Sequence, residues 1–244
     1  MENLNEYQDS YQKEWKYFDD NYWSLSQYGD LMSKKIIEQN YRSVLSLGIG
    51  HNIVSQSFLK LLDTNLDYYH IVEGSSDIIS SFASTKKSSK IQLFHMYFEE
   101  FNSDYKYDAI EMGFVLEHVD DPIFLINHFK NFLNDDGVIF IAVPNSNSLH
   151  RQIGFEAGLL DDLKSLSKFD LQLGHKRFFD LKSLEDSIAK AGMRVLSKKG
   201  LLLKPITGEQ IKLLGWSENI INALLQIGLR NPELSNSIYI EAIK

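Results

Sequence analysis

The fold class of this chain is decided by one stretch, Val44-Leu45-Ser46-Leu47-Gly48-Ile49-Gly50-His51-Asn52. Four mostly apolar residues lead into a Gly-x-Gly turn, and a segment with helical periodicity begins at Ile53. This order predicts a strand, a tight turn and a helix, an arrangement that can hold the adenosine end of a nucleotide-type cofactor. A dinucleotide fingerprint needs a third glycine further on, and none is present. Gly-x-Gly alone is a weak signal, so other segments of the chain are needed to establish whether this turn binds a cofactor.

Strand-like and helix-like segments alternate after residue 41. The predicted strands are 43–47, 68–72, 91–95, 107–112, 138–143, 194–199 and 237–243. The predicted helices are 53–62, 76–84, 122–133, 181–191, 208–214 and 217–227. This order predicts an α/β, Rossmann-like, doubly wound and mainly parallel sheet with helices on both faces.

Composition indicates a soluble globular protein. The chain has 244 residues, of which 43% are hydrophobic and 24% charged, and its formal net charge is −8. An acidic chain argues against nucleic acid or an anionic membrane as partner. There is no cysteine, which excludes disulfides and thiolate metal sites. No signal peptide precedes the domain and the longest apolar run, 138–143, is too short for a membrane span, so we expect a cytoplasmic protein.

Two segments fall outside the alternating pattern. Residues 1–40 carry aromatic side chains at helical spacing, namely Tyr7, Tyr11, Trp15, Phe18 and Tyr22. We interpret them as an apolar stripe docked on the core, or as a helical lid over the cofactor cleft, and a lid also needs an apolar face. Residues 148–176 have no clear period, and we predict an insertion over the strand ends. The expected domains are thus a lid segment, 1–40, and one catalytic domain, 41–244.

An acidic residue stands at the end of the second predicted strand. Glu73 follows the apolar segment Tyr68–Val72 and lies 23 residues beyond Gly50. A carboxylate there can accept hydrogen bonds from both ribose hydroxyls of an adenosine-containing cofactor. Ligands of open α/β sheets bind at the carboxyl ends of the strands, where both features lie.

Further segments point to one family. They are Tyr97–Phe101, Tyr107–Pro122 with Leu116-Glu117-His118-Val119, and Leu133–Asn145 with Asp135-Asp136-Gly137-Val138-Ile139-Phe140. Together with the glycine turn, they resemble the class I S-adenosylmethionine-dependent methyltransferases. The likeness covers residues 41–145 and continues more loosely through 174–179 and 191–193. It implies a seven-stranded sheet with an antiparallel final strand, S-adenosylmethionine as cofactor and S-adenosylhomocysteine as product.

The resemblance assigns cofactor-binding residues by position. They are Gly48 and Gly50 in the turn, Glu73 and Gly74 at the ribose, Phe98 and Glu99 at the adenine, and Met112, Gly113 and Phe114 beside the amino and carboxylate groups. Two positions depart from the family pattern. Ser46 stands where the family usually has an acid, which affects how the cofactor's ammonium group is held. Asn52 stands at the third glycine, and asparagine tolerates a left-handed backbone.

The acceptor side is predicted from basic residues beyond the strand ends. A hydroxyl acceptor needs a base within reach, and we expect His118 or His175 to serve. An anionic acceptor instead needs cationic clamping. The candidate acceptor-binding residues are Asn145, His150, Arg151, Arg177 and Lys204, which could form a positive pocket. No His/Asp/Glu cluster has clear ligand spacing, so no metal site is predicted.

The predicted function is O-directed methyl transfer to a small, anionic acceptor. The segment after residue 144 is similar to bacterial methyltransferases of surface-polysaccharide or capsule pathways, which implies a sugar, nucleotide-linked sugar, phosphate or phosphoramidate acceptor. Two alternatives stay open. One is a catalytically silent cofactor-binding partner of another methyltransferase, and the other is a nicotinamide-dependent oxidoreductase. An oligomer is compatible with the sequence.

Overall fold

The structure is a computed structural model, and it describes residues 18–83 and 88–244. Its centre is one seven-stranded sheet in the order β3-β2-β1-β4-β5-β7-β6. The strands are β1 Ser43–Leu47, β2 Tyr68–Glu73, β3 Ile91–His95, β4 Tyr107–Gly113, β5 Leu133–Pro144, β6 Arg194–Leu201 and β7 Ser237–Ile243. β7 runs antiparallel to both β5 and β6, whereas β1 to β5 pair in parallel. The predicted mainly parallel sheet with an antiparallel final strand is confirmed.

Nine helices flank the sheet in the described part of the chain. They are α1 Phe18–Glu38, α2 Ile53–Leu61, α3 Ser76–Ala83, α4 Pro122–Lys130, α5 Leu149–Glu156, α6 Lys168–Gln172, α7 Leu181–Lys190, α8 Gly208–Leu213 and α9 Glu218–Leu229. A single 3-10 turn, Phe98–Glu100, follows β3. None of these helices is long and apolar enough to cross a bilayer.

Each face of the sheet buries its own apolar cluster. One cluster joins β4 and β5 to α4 and α7, with Phe101, Phe129 and Leu184 fully buried. The other lies beneath α1 and α2 and includes Tyr28 and Phe58. Strands covered on both faces read as continuous apolar runs, as in Val138–Val143. This double covering leaves the carboxyl edge of the parallel strands as the natural place for a ligand.

Helix α1 is part of the core. Tyr28, Met32 and Ile36 recur every four residues and are all 0% exposed. Of the aromatic stripe expected at the N-terminus, Tyr7, Tyr11 and Trp15 and the side chain of Phe18 lie outside the described residues, and Tyr22 is half exposed. The docking face of α1 is therefore formed by Tyr28, Met32 and Ile36. Their four-residue spacing keeps these side chains on one side of the helix, in one apolar cluster with residues of β1, β4 and β7.

Strand β5 begins earlier than its apolar run suggested. The sequence predicted a helix to residue 133 and a strand from residue 138, whereas α4 ends at Lys130 and β5 starts at Leu133. A register shift between β4 and β5 accommodates polar residues inside the strand. Tyr107 N donates to Phe132 O at 2.8 Å and so holds the early part against β4. The predicted start of β5 was wrong because exposed acidic residues at the beginning of a strand have the sequence pattern of a loop.

The predicted insertion has its own short helices. Residues 148–176 contain α5 and α6, and α6 begins at a capping box in which Ser167 and Asp170 satisfy each other's backbone amides. A bridge between Asn145 and Phe179 closes this segment at its base. Consequently the insertion begins and ends beside the carboxyl end of β5.

Candidate functional site

The glycine turn after β1 uses left-handed backbone at three positions. Gly48 has φ of 84°, Gly50 of 52° and Asn52 of 59°. Gly48 N donates to Val72 O at 2.8 Å, which ties the turn to β2. Asn52 adopts the left-handed conformation that a third glycine would otherwise supply, and asparagine does so at modest cost. The departure from the family pattern at Asn52 thus leaves the turn geometry intact.

Glu73 organises this turn from β2. One carboxylate oxygen accepts from Ile49 N at 3.0 Å and the other from Ser75 N at 2.8 Å. Burial raises the pKa of Glu73 above its ordinary value, against the lowering effect of these backbone hydrogen bonds. Each oxygen keeps a further lone pair, so the carboxylate can brace the loop and still accept from a ligand's hydroxyls.

Gly48, Glu73 and Phe98 surround a common recess. A Cβ on Gly48 would stand 3.8 Å from Phe98 Cζ and 4.0 Å from Glu73 Oε2. A side chain at residue 48 would therefore fill the space between an aromatic ring and a carboxylate. These two groups suit an adenosine moiety, since the ring offers a stacking face and the carboxylate accepts from hydroxyls. Glu99, in the same 3-10 turn, is exposed.

A buried carboxylate lies directly across from Ser46. In the β1–β4 register Ser46 pairs with Glu111, and the two side chains are hydrogen-bonded. Glu111 is 4% exposed, and burial raises its pKa to about 7 despite hydrogen bonds from Gly113, Ser46 and Tyr28. A carboxyl group thus stands on the adjacent strand at the level of the sheet where β1 has Ser46.

Glu111 also supports the backbone after β4. Its Oε1 accepts from Gly113 N at 2.7 Å and from Tyr28 Oη at 3.2 Å. A Cβ on Gly113 would meet Tyr28 Cε1 at 2.4 Å, so glycine is required for this close approach. Phe114 then takes a positive φ of 59°. The segment Met112–Phe114, predicted to lie beside the cofactor's amino and carboxylate groups, is thereby fixed by α1 and Glu111 together.

Three polar side chains converge on the acceptor side of the β4 end. One ligand atom each from Glu117, His118 and His175 lies within 4.8 Å of the other two. The His118 and His175 ring centroids are 4.8 Å apart, edge to face. Lys176 N donates to Glu117 O at 2.8 Å and joins the insertion to the loop after β4. The fold thus brings together the two histidines that the sequence predicted separately and adds Glu117.

Burial dominates the electrostatics of this cluster. It raises the pKa of Glu117 to about 7, opposed by the field of His175. It lowers the pKa of His118 to about 4, helped by the charge of His175 and opposed by hydrogen bonds to the backbone of Gly174 and Leu173. Glu117 Oε2 is buried with no hydrogen-bond partner among the described residues. Asp170 Oδ1 lies 3.4 Å from His175 Nδ1.

The two candidate arginines bind the chain itself. The Arg177 guanidinium donates to the carbonyls of Leu116, Val119 and Asp120. Arg151 donates to Leu163 O at 3.0 Å and Ser165 O at 2.8 Å, inside the insertion, and stacks over the ring of Phe178 at 4.3 Å. Both guanidiniums therefore brace loops around the site.

Three more predicted acceptor residues are placed by other contacts. Lys204 is 5% exposed and pairs with Asp20 of α1. The Asn145 amide nitrogen is hydrogen-bonded to the carbonyls of Pro232, Glu233 and Ser235, so this side chain clamps the turn before β7. His150 lies beside the charges of Lys204 and Arg151, and burial together with these charges lowers its pKa to about 3.

Sequence reasoning missed Glu111, Glu117, Asp170 and Tyr28 as site residues. Glu117 stood within the quoted Leu-Glu-His-Val segment, but its partner His175 is 58 positions away, so spacing gave no sign of the pair. The sequence carried a weak signal for Glu111, because this acid stands between the apolar residues Ile110 and Met112 in the middle of a strand.

Comparisons with known proteins agree with this architecture. A family model for a methyltransferase domain matches residues 10–198. No curated protein matches the chain. Among solved structures, it is similar to an S-adenosylmethionine-dependent methyltransferase from Clostridium acetobutylicum ATCC 824, at 13% identity and TM-score 0.57, with 89% of this chain and 90% of that chain covered.

Two other solved structures share the fold. One is the plantazolicin methyltransferase BpumL in complex with a monoazolic desmethylPZN analog and SAH, at 18% identity and TM-score 0.62, with 98% of this chain and 89% of that chain covered. The other is the [4+2]-cyclase SpnF, at 14% identity and TM-score 0.60, with 90% and 80% covered. Likeness at this level shows a common fold and leaves the substrate to the residues of the site.

Proposed function

Since this chain belongs to the class I S-adenosylmethionine-dependent methyltransferases, we propose that it methylates a hydroxyl oxygen of a small molecule, with Glu117, His118 and His175 activating the acceptor. The observation that carries the proposal is the convergence of these three side chains at the carboxyl end of β4. That edge is where ligands of open α/β sheets bind.

The cofactor side is assigned to residues that meet around the glycine turn. Glu73 would accept from the ribose hydroxyls, Phe98 would face the adenine, and the backbone of Met112–Phe114 would lie along the amino-acid end. Ser46, Gly50, Gly74 and Glu99 complete the proposed set. We assign Glu111 the role of the family's acid on β1, because its carboxyl fixes Gly113 and lies beneath this segment. When bound, S-adenosylmethionine supplies an electrophilic methyl group on a sulfonium.

The contacts of the basic residues favour a hydroxyl acceptor over an anionic one. The donors of Arg177 and Arg151 are directed at backbone carbonyls, and Lys204 is paired with Asp20. A phosphate acceptor would have to displace these contacts, at the cost of unsatisfied carbonyls. A hydroxyl acceptor needs no clamp, but it has to lose a proton.

The histidine pair supplies a route for that proton. Asp170 Oδ1 lies 3.4 Å from His175 Nδ1, so a carboxylate stands beside the ring of the proposed base. The imidazole would take the proton of the acceptor oxygen as that oxygen attacks the methyl carbon. The chain needs no acid for the leaving group, because the electron pair of the carbon–sulfur bond would stay on the sulfur of the cofactor. The fixed geometry supplies proximity and orientation.

The acceptor class that fits this chemistry is a sugar or nucleotide-linked sugar, in keeping with the likeness to surface-polysaccharide methyltransferases. The silent-partner alternative rested on Ser46 and Asn52. Glu111 now provides the carboxylate, and Asn52 provides the left-handed backbone. Both departures are compensated within the site, which favours a working enzyme.

The test pairs calorimetric titration of S-adenosylhomocysteine with radiolabelled methyl transfer to a panel of sugars, nucleotide-linked sugars and phosphorylated analogues. On the best acceptor, His175→Gln should lower kcat about 10²- to 10⁴-fold, the usual contribution of a positioned general base. S-adenosylhomocysteine affinity should stay within about twofold, because His175 lies on the acceptor side.

His128→Gln is the matched control. His128 lies on α4, its Nε2 is hydrogen-bonded to Phe101 O at 2.8 Å, and it is not part of the cluster formed by Glu117, His118 and His175. This variant should turn over like the unsubstituted protein. Equal kcat in His175→Gln, or transfer confined to phosphorylated acceptors, would overturn the proposed chemistry. Failure of the unsubstituted protein to bind S-adenosylhomocysteine would overturn the enzyme itself.

A further inference from the structure

The cluster Glu117, His118 and His175 has the donor set of a metal site. It offers one carboxylate oxygen and two imidazole nitrogens, all within 4.8 Å of one another. Two histidines with one carboxylate bind zinc and other first-row divalent ions in many enzymes and leave open positions for a substrate oxygen. With no cysteine in the chain, imidazole and carboxylate are the strongest ligands available to such an ion.

A second, independent observation is the state of Glu117. Its side chain is 1% exposed, and Oε2 has no hydrogen-bond partner in the described ranges 18–83 and 88–244. The carboxylate is hydrogen-bonded to the backbone N–H of Glu117 itself, but its second oxygen has no such donor. A buried oxygen of this kind is costly, and buried charges in proteins are paired or coordinate metals. The nearby cation Arg177 does not serve, because its guanidinium donates to the carbonyls of Leu116, Val119 and Asp120.

The groups behind the two histidines have the form of outer-shell partners. Metal-bound histidines usually donate their second ring nitrogen to a carboxylate or a backbone carbonyl, which fixes the ring. Here the His118 ring is hydrogen-bonded to the backbone of Gly174 and Leu173, and Asp170 lies 3.4 Å from His175 Nδ1. The insertion thus holds the His118 ring by hydrogen bonds, and it places a carboxylate beside the His175 ring without a hydrogen bond to Nδ1.

We propose that Glu117, His118 and His175 bind a divalent first-row metal ion that activates the acceptor oxygen. The inference rests on the proposed function for its use in catalysis, but metal binding can be measured alone. The ion would bind the acceptor oxygen and favour its deprotonated form, with the proton released to water. The two histidines would then act as ligands, and water would take the place of the imidazole as the proton acceptor in the proposed methyl transfer. This goes against the sequence-based prediction of no metal site, which considered spacing alone.

The experiment uses the full chain, freed of metal by chelator and dialysis. Zn²⁺ is titrated by calorimetry, and Co²⁺ is titrated by its visible absorption, which reports coordination geometry. We expect one equivalent to bind per chain. Glu117→Gln, nearly isosteric, should weaken Zn²⁺ binding by more than about 100-fold, and Asp170→Asn by about 10-fold, in line with outer-shell effects.

His128→Gln is again the control and should bind Zn²⁺ like the unsubstituted protein. Circular dichroism and S-adenosylhomocysteine titration of each variant establish that it is folded. Absence of stoichiometric binding, or equal affinity in Glu117→Gln and the unsubstituted chain, would overturn the metal site. If S-adenosylhomocysteine binds and transfer proceeds with chelator present, the metal proposal fails while the proposed function stands. Loss of S-adenosylhomocysteine binding in the unsubstituted chain would instead count against the function.

Discussion

The cofactor side and the acceptor side of this molecule are built differently. Around the glycine turn, the chain uses backbone amides, left-handed residues and two carboxylates on neighbouring strands, Glu73 and Glu111. On the acceptor side, side chains from the loop after β4 and from the insertion meet over a long sequence separation. The proposed cofactor side thus depends on backbone conformation and neighbouring strands, whereas the proposed acceptor side depends on where a loop and the insertion fold back.

The largest expected effect concerns Glu111 on the cofactor side. In the folded protein the pKa of Glu111 is about 7, above its pKa in the unfolded chain. The folded state therefore binds the proton more tightly, and stability falls as the pH rises from the unfolded-state pKa to the folded-state pKa. Relative to the unsubstituted protein, Glu111→Gln should gain up to about 3 kcal/mol in unfolding free energy between pH 4.5 and 7, and stay level above that. Urea unfolding at several pH values measures this difference.

Comparing the two proteins at each pH removes the opposing slope from buried histidines such as His70, whose pKa is lowered to about 4 by burial. Tyr28 and Tyr69, whose own pKa values burial raises, stay neutral throughout. A pH-independent difference would show that Glu111 titrates normally. Glu111→Gln should also weaken S-adenosylhomocysteine binding, and Ser46→Asp with Glu111→Ser should restore it, since the acid then returns to β1.

The next effect concerns Arg177 on the acceptor side. Arg177→Ala should lower unfolding free energy by about 2 kcal/mol, because three carbonyls of the loop after β4 lose their donor. Turnover should fall because the loop after β4 loses its support. The affinity for S-adenosylhomocysteine should stay within about twofold, as expected for a site that is independent of this loop contact. Lys176→Ala is the control, since Lys176 pairs with an exposed Asp120 and should cost under about 0.5 kcal/mol. Equal costs in the two variants would contradict the bracing role.

The smallest stability effect returns to the turn. Gly48→Ala should cost about 1 kcal/mol through its positive φ, yet lower S-adenosylhomocysteine affinity at least about 10-fold, because the new Cβ enters the recess between Phe98 and Glu73. Gly158→Ala is the matched control. Gly158 has φ of 70° and nothing within 4 Å of an added Cβ, so it shares the strain without the recess. Similar affinity in both variants would place the cofactor elsewhere.

The sequence predicted the fold well because its signals are local. Apolar runs bounded by turns gave all seven strands, and the early start of β5 was missed because acids precede its apolar core. The docking face of α1 was also missed, since Tyr28, Met32 and Ile36 are spaced no differently from other apolar residues of that helix.

By itself, the sequence determined the sheet, the glycine turn and Glu73, because strand periodicity and a turn's backbone conformation are encoded by neighbouring residues. Tertiary structure alone decided three matters: that Glu111 lies opposite Ser46, that Arg151 and Arg177 bind carbonyls, and that Glu117 joins the two histidines. Each depends on strand register or on where an insertion folds back. Such contacts link residues far apart in the chain, and they become fixed only when the whole core packs.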